Sequence, residues 1–182
     1  DSNLDGISSL INGLPTDATW VLLDTDIDGI TQIQQIVSPY QDFDAIHILS
    51  HGDVGTLQLG STYLSSDNID QYSDDLALIG QSLTTDGDIL LYGCNVAQSE
   101  DGEAFIARLS QLTQADIAAS NDITGHNGNW QLEYTIGDVL DLTFNTDSFQ
   151  ISYEQNLAMP AKGEFQINSY TVDYQSEPSV TG

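Results

Sequence analysis

Apolar side chains recur at two different spacings along about the first 145 residues of this chain. Steps of three and four residues are typical of helices that bury one face, whereas continuous apolar runs are typical of buried strands. The helical spacing covers residues 7–14, 30–37, 69–83 and 105–112, and the apolar runs cover residues 20–23, 45–49, 88–92 and 116–119. Alternating polarity predicts a small hairpin around Gly60 and a further strand over 129–136.

Buried strands that alternate with amphipathic helices predict an α/β fold with a mainly parallel sheet and helices on both faces. In such sheets, sites form just beyond the carboxyl ends of the strands. That rule selects the three loops that follow Asp24, Ser50 and Tyr92. We therefore expect any functional side chains of this protein in those loops.

The pattern changes at about residue 145, which predicts a domain boundary there. Residues 1–144 carry the α/β pattern and are predicted to form one domain. Residues 145–163 have no clear period and contain Pro160, so they are predicted to form a linker. Residues 164–182 alternate in polarity and are predicted to start a following β-rich unit.

The charge balance narrows the classes of partner. The chain has 2 Lys and Arg against 28 Asp and Glu, a formal net charge of −26, which repels nucleic acids and anionic membranes. No apolar run approaches the ~18 residues of a membrane span, so we expect no membrane insertion. The acidic surface suits an extracellular protein, or it includes carboxylates that bind Ca²⁺.

One acidic segment resembles the beginning of a calcium-binding loop. Asp24, Asp26 and Asp28 alternate as ligands do in an EF-hand, followed by Gly29. The twelfth position is Gln35, where a bidentate glutamate is needed, so a true EF-hand is not expected. The alternative is that Asp28 caps the helix that follows.

A histidine and the single cysteine each follow a buried strand directly. His51 and Gly52 come after 45–49, and Gly93 and Cys94 come after 88–92. If these strands are parallel neighbours, the two side chains emerge at the same edge and suit nucleophilic catalysis, with a thiolate that attacks a carbonyl. The amides of Gly52 and Cys94 would bind the oxyanion in a solvent-facing crevice.

Other roles for these side chains remain open. A lone cysteine is often a small buried apolar residue. Zinc bound by His51, Cys94 and His126 lacks any paired-ligand spacing. His47 lies within a predicted strand and reads as a packed core residue.

The motifs around these residues carry a resemblance. The stretches 49–52 (Leu-Ser-His-Gly), 57–60 (Leu-Gln-Leu-Gly), 91–97 (Leu-Tyr-Gly-Cys-Asn-Val-Ala), 118–125 (Ala-Ala-Ser-Asn-Asp-Ile-Thr-Gly) and 128–133 (Gly-Asn-Trp-Gln-Leu-Glu) occur in order. They resemble the caspase-like (clan CD) cysteine peptidases and, more closely, a bacterial family, labelled a domain of unknown function, found near the N-terminus of large repeat-rich surface or secreted proteins. The resemblance implies a caspase-like α/β/α sandwich with His51 and Cys94 as the catalytic dyad.

This chain differs from the proteins it resembles at two places. Family members begin with a hydrophobic strand ahead of the segment that starts here at Asp1, so the first strand is expected to be missing from this chain. In several clan members the residue two before the cysteine lines the pocket for the substrate residue P1, and here it is Tyr92. Asp122 is a second candidate for that pocket, where its charge would favour a basic residue such as Lys162, or it is an ordinary turn residue.

Together these observations predict a cysteine endopeptidase that requires no cofactor, apart from the open question of Ca²⁺. Its substrate would be a peptide or protein, including its own polypeptide or a co-secreted partner, outside the cell or at its surface. The alternatives are an adhesin module that keeps the fold without chemistry and a Ca²⁺-stabilised structural domain.

Overall fold

A four-stranded sheet lies at the centre of the computed structural model, which describes residues 1–14, 18–140 and 153–159. Its strands are β1 (Phe43–Leu49), β5 (Leu83–Tyr92), β6 (Asp116–Ala119) and β7 (Tyr134–Ile136), in the order β1-β5-β6-β7. The strand β5 pairs in parallel with both β1 and β6, and β7 runs antiparallel to β6. The predicted mainly parallel sheet is therefore confirmed.

A second, smaller sheet and four α-helices complete the described part of the chain. Strands β2 (His51–Asp53), β3 (Thr56–Leu59) and β4 (Thr62–Ser65) form an antiparallel meander. The helices are α1 (Ile7–Gly13), α2 (Gly29–Val37), α3 (Ser73–Gly80) and α4 (Ser99–Thr113). The hairpin expected around Gly60 is the pair β3 and β4, and Gly60 makes its turn with a φ of 56°.

The central sheet separates two apolar clusters, because successive side chains of a strand point to opposite faces. Ile89 and Leu91 of β5 belong to the larger cluster, which also contains the buried side chains of α2, α3 and α4. Leu90 and Tyr92 belong to the smaller cluster on the other face, which includes Leu10 of α1. The structure is thus a mixed α/β protein with helices on both faces of its sheet, an arrangement compatible with an α/β sandwich.

The segment 20–23 is not a strand, although its apolar run predicts one. Trp20, Val21 and Leu22 are each more than two-fifths exposed, and only Leu23 is buried. An apolar run becomes a strand only when a neighbouring strand is there to accept and donate its backbone hydrogen bonds. The strand β1 lies at the edge of the described sheet, and the strand expected ahead of Asp1 stays a prediction.

The long helix predicted over 69–83 is shorter in the structure. A 3-10 turn covers Ile69–Tyr72, and α3 ends at Gly80, where a Cβ atom would lie 1.7 Å from the carbonyl oxygen of Thr113. A residue larger than glycine would not fit at this contact between α3 and α4. Leu83, the last apolar residue of the pattern, begins β5.

Residues 153–159 fall within the predicted linker but pack inside the domain. The side chains of Tyr153 and Leu157 are almost fully buried in the smaller apolar cluster. This part of the predicted linker therefore belongs to the domain. The rest of that linker, Lys162 and the predicted β-rich unit lie outside the described residues.

Within the described ranges, no helix has both the length and the apolar character that a membrane crossing requires.

Candidate functional site

The two candidate catalytic residues follow strands that are direct neighbours. Leu49 of β1 pairs with Tyr92 of β5, and the amide of Ser50 donates to the carbonyl of Tyr92 at 3.1 Å. His51 and Cys94 therefore leave the sheet at the same edge, as the sequence predicts.

The two chain segments that leave this edge lie very close together, which explains the glycines. A Cβ atom on Gly52 would lie 2.6 Å from Cγ2 of Val96 and 2.9 Å from the carbonyl oxygen of Cys94. A larger residue at position 52 would push β2 away from the loop that begins at Gly93 and carries Cys94. Asn95 adopts a φ of 60°, a left-handed conformation that asparagine tolerates better than most residues, and it turns the chain directly after the cysteine.

His51 is oriented by a main-chain contact and is only 8% exposed. Its Nε2 atom lies 3.2 Å from the carbonyl oxygen of Asn3, which fits a donated hydrogen bond when Nε2 carries the proton. Among the described residues Nδ1, the other ring nitrogen, has no hydrogen-bond partner. Burial lowers the pKa of His51, so the ring is kept neutral and Nδ1 is available as a base.

Cys94 is fully buried, so the expectation of a solvent-facing crevice is wrong for this structure. Its Sγ lies 3.3 Å from both the carbonyl oxygen and the amide nitrogen of Thr124, and donates to the first while it accepts from the second. Burial raises the pKa of the thiol, and the negative charge of Asp122 raises it further. Tyr153 and Leu157, from residues 153–159, are buried in the same apolar cluster as Cys94 and cover the place where the crevice was expected.

The carbonyl oxygen of Leu157 lies between the two amides proposed to bind an oxyanion. It accepts hydrogen bonds from the amide nitrogens of Gly52 at 2.8 Å and of Cys94 at 3.2 Å. The main chain of Leu157 also raises the pKa of His51 and lowers that of Cys94, although burial has the larger effect on both groups. One peptide unit is thus held by the two converging amides.

Residues on both sides of Leu157 are held in an extended conformation. Asn156 bridges to Gly125 in antiparallel orientation, and Ala158 bridges to Gly52 in parallel orientation. The main-chain bonds run from Leu157 N to Thr124 O (2.9 Å), from His126 N to Gln155 O (2.9 Å) and from Met159 N to Gly52 O (3.2 Å).

Tyr92 lies in an aromatic cluster beside this segment. Its ring lies between those of His47, stacked at 5.9 Å, and Trp130, at 6.3 Å, and Trp130 meets Tyr153 edge-on at 5.7 Å. The Leu157 side chain is fully buried in the same apolar cluster. The structure therefore brings Tyr92, a predicted pocket residue, together with the buried side chain of this segment.

Asp122 contacts the loop that follows Cys94. Its carboxylate accepts a hydrogen bond from the side chain of Asn129 at 3.0 Å, and its carbonyl oxygen accepts one from the amide of Asn95 at 2.7 Å. These bonds hold the loop after Cys94, a role closer to the predicted turn residue than to an acidic pocket floor.

In the acidic segment before α2, Asp28 is the residue that caps the helix. Asp28 accepts from the amide of Thr31 at 2.9 Å, from the hydroxyl of Tyr72 at 2.8 Å and from that of Thr62, while Asp24 accepts from the amide of Asp26. In the described part of the chain no group of three or more His, Cys, Asp or Glu side chains could hold a metal ion. The alternative that Asp28 caps the helix is therefore confirmed, and a Ca²⁺ site involving Asp24, Asp26 and Asp28 stays a prediction.

Sequence patterns alone did not indicate several residues of this site. Asn3 and Thr124 contribute main-chain atoms, which carry no signal in the sequence. Tyr153 and Leu157 lie in a stretch without periodicity, where their apolar character was the available clue.

The fold and the site define an α/β protein with a histidine and a cysteine at the carboxyl edge of a mostly parallel sheet. The chain belongs to the family DUF4347, described as a domain of unknown function, whose family model matches residues 1–157. That match extends past Tyr153 to Leu157, the segment that fills the crevice. Searches of curated proteins and of solved structures find no match to this chain.

Proposed function

We propose that this domain is a cysteine endopeptidase in which His51 and Cys94 form the catalytic dyad. One observation carries the proposal: a single carbonyl oxygen accepts hydrogen bonds from the amide of Cys94 and from the amide of Gly52, the residue after His51. Two convergent amide donors are the arrangement that stabilises the oxyanion of acyl transfer. The substrate is then a peptide or protein, and the resemblance to caspase-like peptidases supports the same reaction.

The order of proton transfers follows from the two pKa shifts. Burial lowers the pKa of His51 and raises that of Cys94, so both groups are neutral at pH 7. The thiol must therefore give its proton to the imidazole as it attacks, because a thiolate is not present beforehand. The carbonyl of Asn3 holds Nε2 and leaves Nδ1 to take the proton and later give it to the leaving amine.

The setting of this activity follows from charge and from the resemblance. A net charge of −26 suits an extracellular or cell-surface protein, and the related domains lie in large secreted or surface proteins. Processing of such a protein, in the same chain or in a co-secreted partner, is the task we propose. No cofactor is needed for this chemistry.

A catalytically silent module is the second candidate, and the burial of Cys94 favours it. A thiol that is fully buried and hydrogen-bonded to Thr124 is also what a purely structural cysteine looks like. In that case the domain keeps the fold as an adhesin or structural unit.

Hydrolysis assays on the purified chain separate the two candidates. A mixture of unstructured peptides is incubated with the wild type, with Cys94→Ala and with His51→Ala, and the products are identified by mass spectrometry. Peptide-bond cleavage that both substitutions abolish supports the peptidase. Equal cleavage by all three proteins, or none by any of them and none in the chain itself, supports the silent module.

A further inference from the structure

We infer that residues 153–159 are bound as the domain's own substrate and that Cys94 cleaves the peptide bond between Leu157 and Ala158. This inference rests on the proposed peptidase function and names its substrate. Leu157 then occupies the P1 position, and Ala158 begins the leaving part of the chain.

The bond between Leu157 and Ala158 lies at the two amides proposed to bind the oxyanion. A peptidase must bind the carbonyl oxygen of the bond it cleaves, and it must do so with the donors that later hold the oxyanion. The carbonyl oxygen held by Gly52 and Cys94 is that of Leu157, at 2.8 and 3.2 Å. Among the hydrogen bonds of the described residues, no other carbonyl oxygen is shared by these two amides.

The segment is paired with the rest of the domain in one direction and one register. The main chain before the bond pairs with the loop that follows β6: Leu157 donates to Thr124, and Gln155 accepts from His126. Backbone pairing of this kind is how an extended peptide adds to an exposed edge and is held in one register. The register fixes the Leu157 carbonyl, and no neighbouring one, at the two amides.

A glycine, Gly125, makes room for the segment. Gly125 has a φ of 120°, and a Cβ atom there would lie 2.4 Å from the carbonyl oxygen of Gln155 and 2.8 Å from Cα of Asn156. Any side chain at this position would collide with the main chain of the segment. The surface after β6 is thus shaped for a backbone to lie directly upon it.

The side chain at the proposed P1 position lies in an apolar environment. Leu157 is fully buried in the apolar cluster that contains Tyr92 and Trp130, whereas Gln155 and Ala158 are exposed and Asn156 is half-buried. A charged side chain in that cluster would lose its hydration without an ionic partner. The preferred substrates are therefore peptides with leucine, or a similar apolar residue, at P1, rather than the basic residue that Asp122 would select.

The reaction balances without any further reagent than water. The Sγ atom of Cys94 bonds to the carbonyl carbon of Leu157 as its proton moves to Nδ1 of His51. The bond to the nitrogen of Ala158 then breaks, and His51 returns the proton to that nitrogen as the new amine leaves. Water hydrolyses the thioester, which restores the thiol and leaves Leu157 with a carboxylate.

The test follows the termini of the full 182-residue chain by intact-mass and peptide mass spectrometry. We expect a new C-terminus at Leu157 and a new N-terminus at Ala158 in the wild type, and neither in Cys94→Ala or His51→Ala. The first-order rate should not change on dilution, because the substrate is part of the same chain. Ala158→Pro should remove the cleavage, since the proline ring crowds the bond and none of the hydrogen bonds described for the segment uses the Ala158 amide.

Substitutions at P1 test the apolar preference. Leu157→Asp should slow cleavage at least ~100-fold, because it places a carboxylate in an apolar cluster, whereas Leu157→Met should remain cleaved. Leu140→Asp is the matched control. Leu140 is 69% exposed, so this substitution should leave the cleavage rate unchanged. Thermal melting of each variant shows whether a loss of cleavage is a loss of folding. If Leu157→Asp does not fold, the single variants Leu157→Met and Ala158→Pro still test the inference.

A second measurement separates the failure of this inference from the failure of the proposed function. Leu157→Asp, in which the segment is expected to leave the crevice, is treated with a Gln-Asn-Leu acyloxymethyl ketone that reacts with a catalytic thiol. Labelling of Cys94 without cleavage of the wild type, or Cys94-dependent cleavage at another bond such as the one after Lys162, overturns the inference and leaves the peptidase standing. If Cys94 is not labelled and no Cys94-dependent cleavage occurs at any bond, both the inference and the proposed peptidase function are overturned.

Discussion

The amide nitrogen of Gly52 lies 2.8 Å from the carbonyl oxygen of Leu157 and donates a hydrogen bond to it. This contact joins β2 to a segment at the C-terminal end of the residues that the family model matches. It places the Leu157–Ala158 bond beside the residues proposed to cleave it.

The reactivity of the thiol should increase with pH. Because burial raises the pKa of Cys94 and lowers that of His51, the reactive thiolate is scarce at neutral pH and forms on the alkaline side. Alkylation of the wild type by iodoacetamide should therefore be slow near pH 7 and should accelerate through and above pH 9. A rate that has already reached a plateau below pH 6 would contradict this, since it would mean a thiolate stabilised by the imidazolium.

Opening the crevice should expose the same thiol. Gly125→Ala places a Cβ atom against Gln155 in a strained backbone conformation, and we expect it to unseat residues 153–159. The cost in the free energy of unfolding should be about 2 kcal/mol. Iodoacetamide should then label Cys94 faster than in the wild type at every pH.

The matched control for that change is Gly80→Ala, because Gly80 packs against Thr113 of α4 and not against the segment. A Cβ atom at Gly80 also collides with main chain, so it tests for a general loss of stability. Equal acceleration in both variants would mean that loosening of the domain, rather than release of the segment, exposes the cysteine.

The Asp28 carboxylate should stabilise the fold at neutral pH. Burial alone would raise its pKa, but hydrogen bonds from Thr31, Thr62 and Tyr72 together lower it. A carboxylate with a lowered pKa contributes stability above its unfolded pKa and loses it as the pH falls through the folded value. Asp28→Ala should cost about 1–2 kcal/mol at pH 7.

That cost should shrink as the pH falls below about 4, when the wild-type carboxyl is protonated as well. Urea unfolding at several pH values measures it, with the exposed Asp67→Ala as the control that should change little. A pH-independent difference between the wild type and Asp28→Ala would contradict the account.

Divalent cations should act on this protein by screening its charge. With a net charge of −26, Ca²⁺ and Mg²⁺ should both raise the melting temperature, and by similar amounts, because the Asp28 carboxylate is already occupied by hydrogen bonds. Differential scanning fluorimetry with each cation and with NaCl at matched ionic strength checks this. A larger shift with Ca²⁺ that disappears in Asp24→Asn would instead establish a Ca²⁺ site at this segment.

The sequence by itself predicted the parts of this protein that depend on local pattern. The apolar run at 88–92 and the helical spacing at 105–112 specify β5 and α4, because burial on both faces or on one face imposes those periods. Two such strands in parallel then place His51 and Cys94 at one edge. Gly52 and Gly93, beside these residues, mark the close approach of the two chain segments.

The tertiary structure decided the features that depend on which segments meet. The apolar run at 20–23 predicted a strand, but no described strand lies beside it to complete its hydrogen bonds. Residues 153–159 have no regular period, and their extended conformation comes from partners at Gly52 and Thr124 that are distant in sequence. Backbone hydrogen bonds carry no side-chain signature, so the place of residues 153–159 beside Cys94, and with it the P1 position that we propose for Leu157, emerged only once the chain was folded.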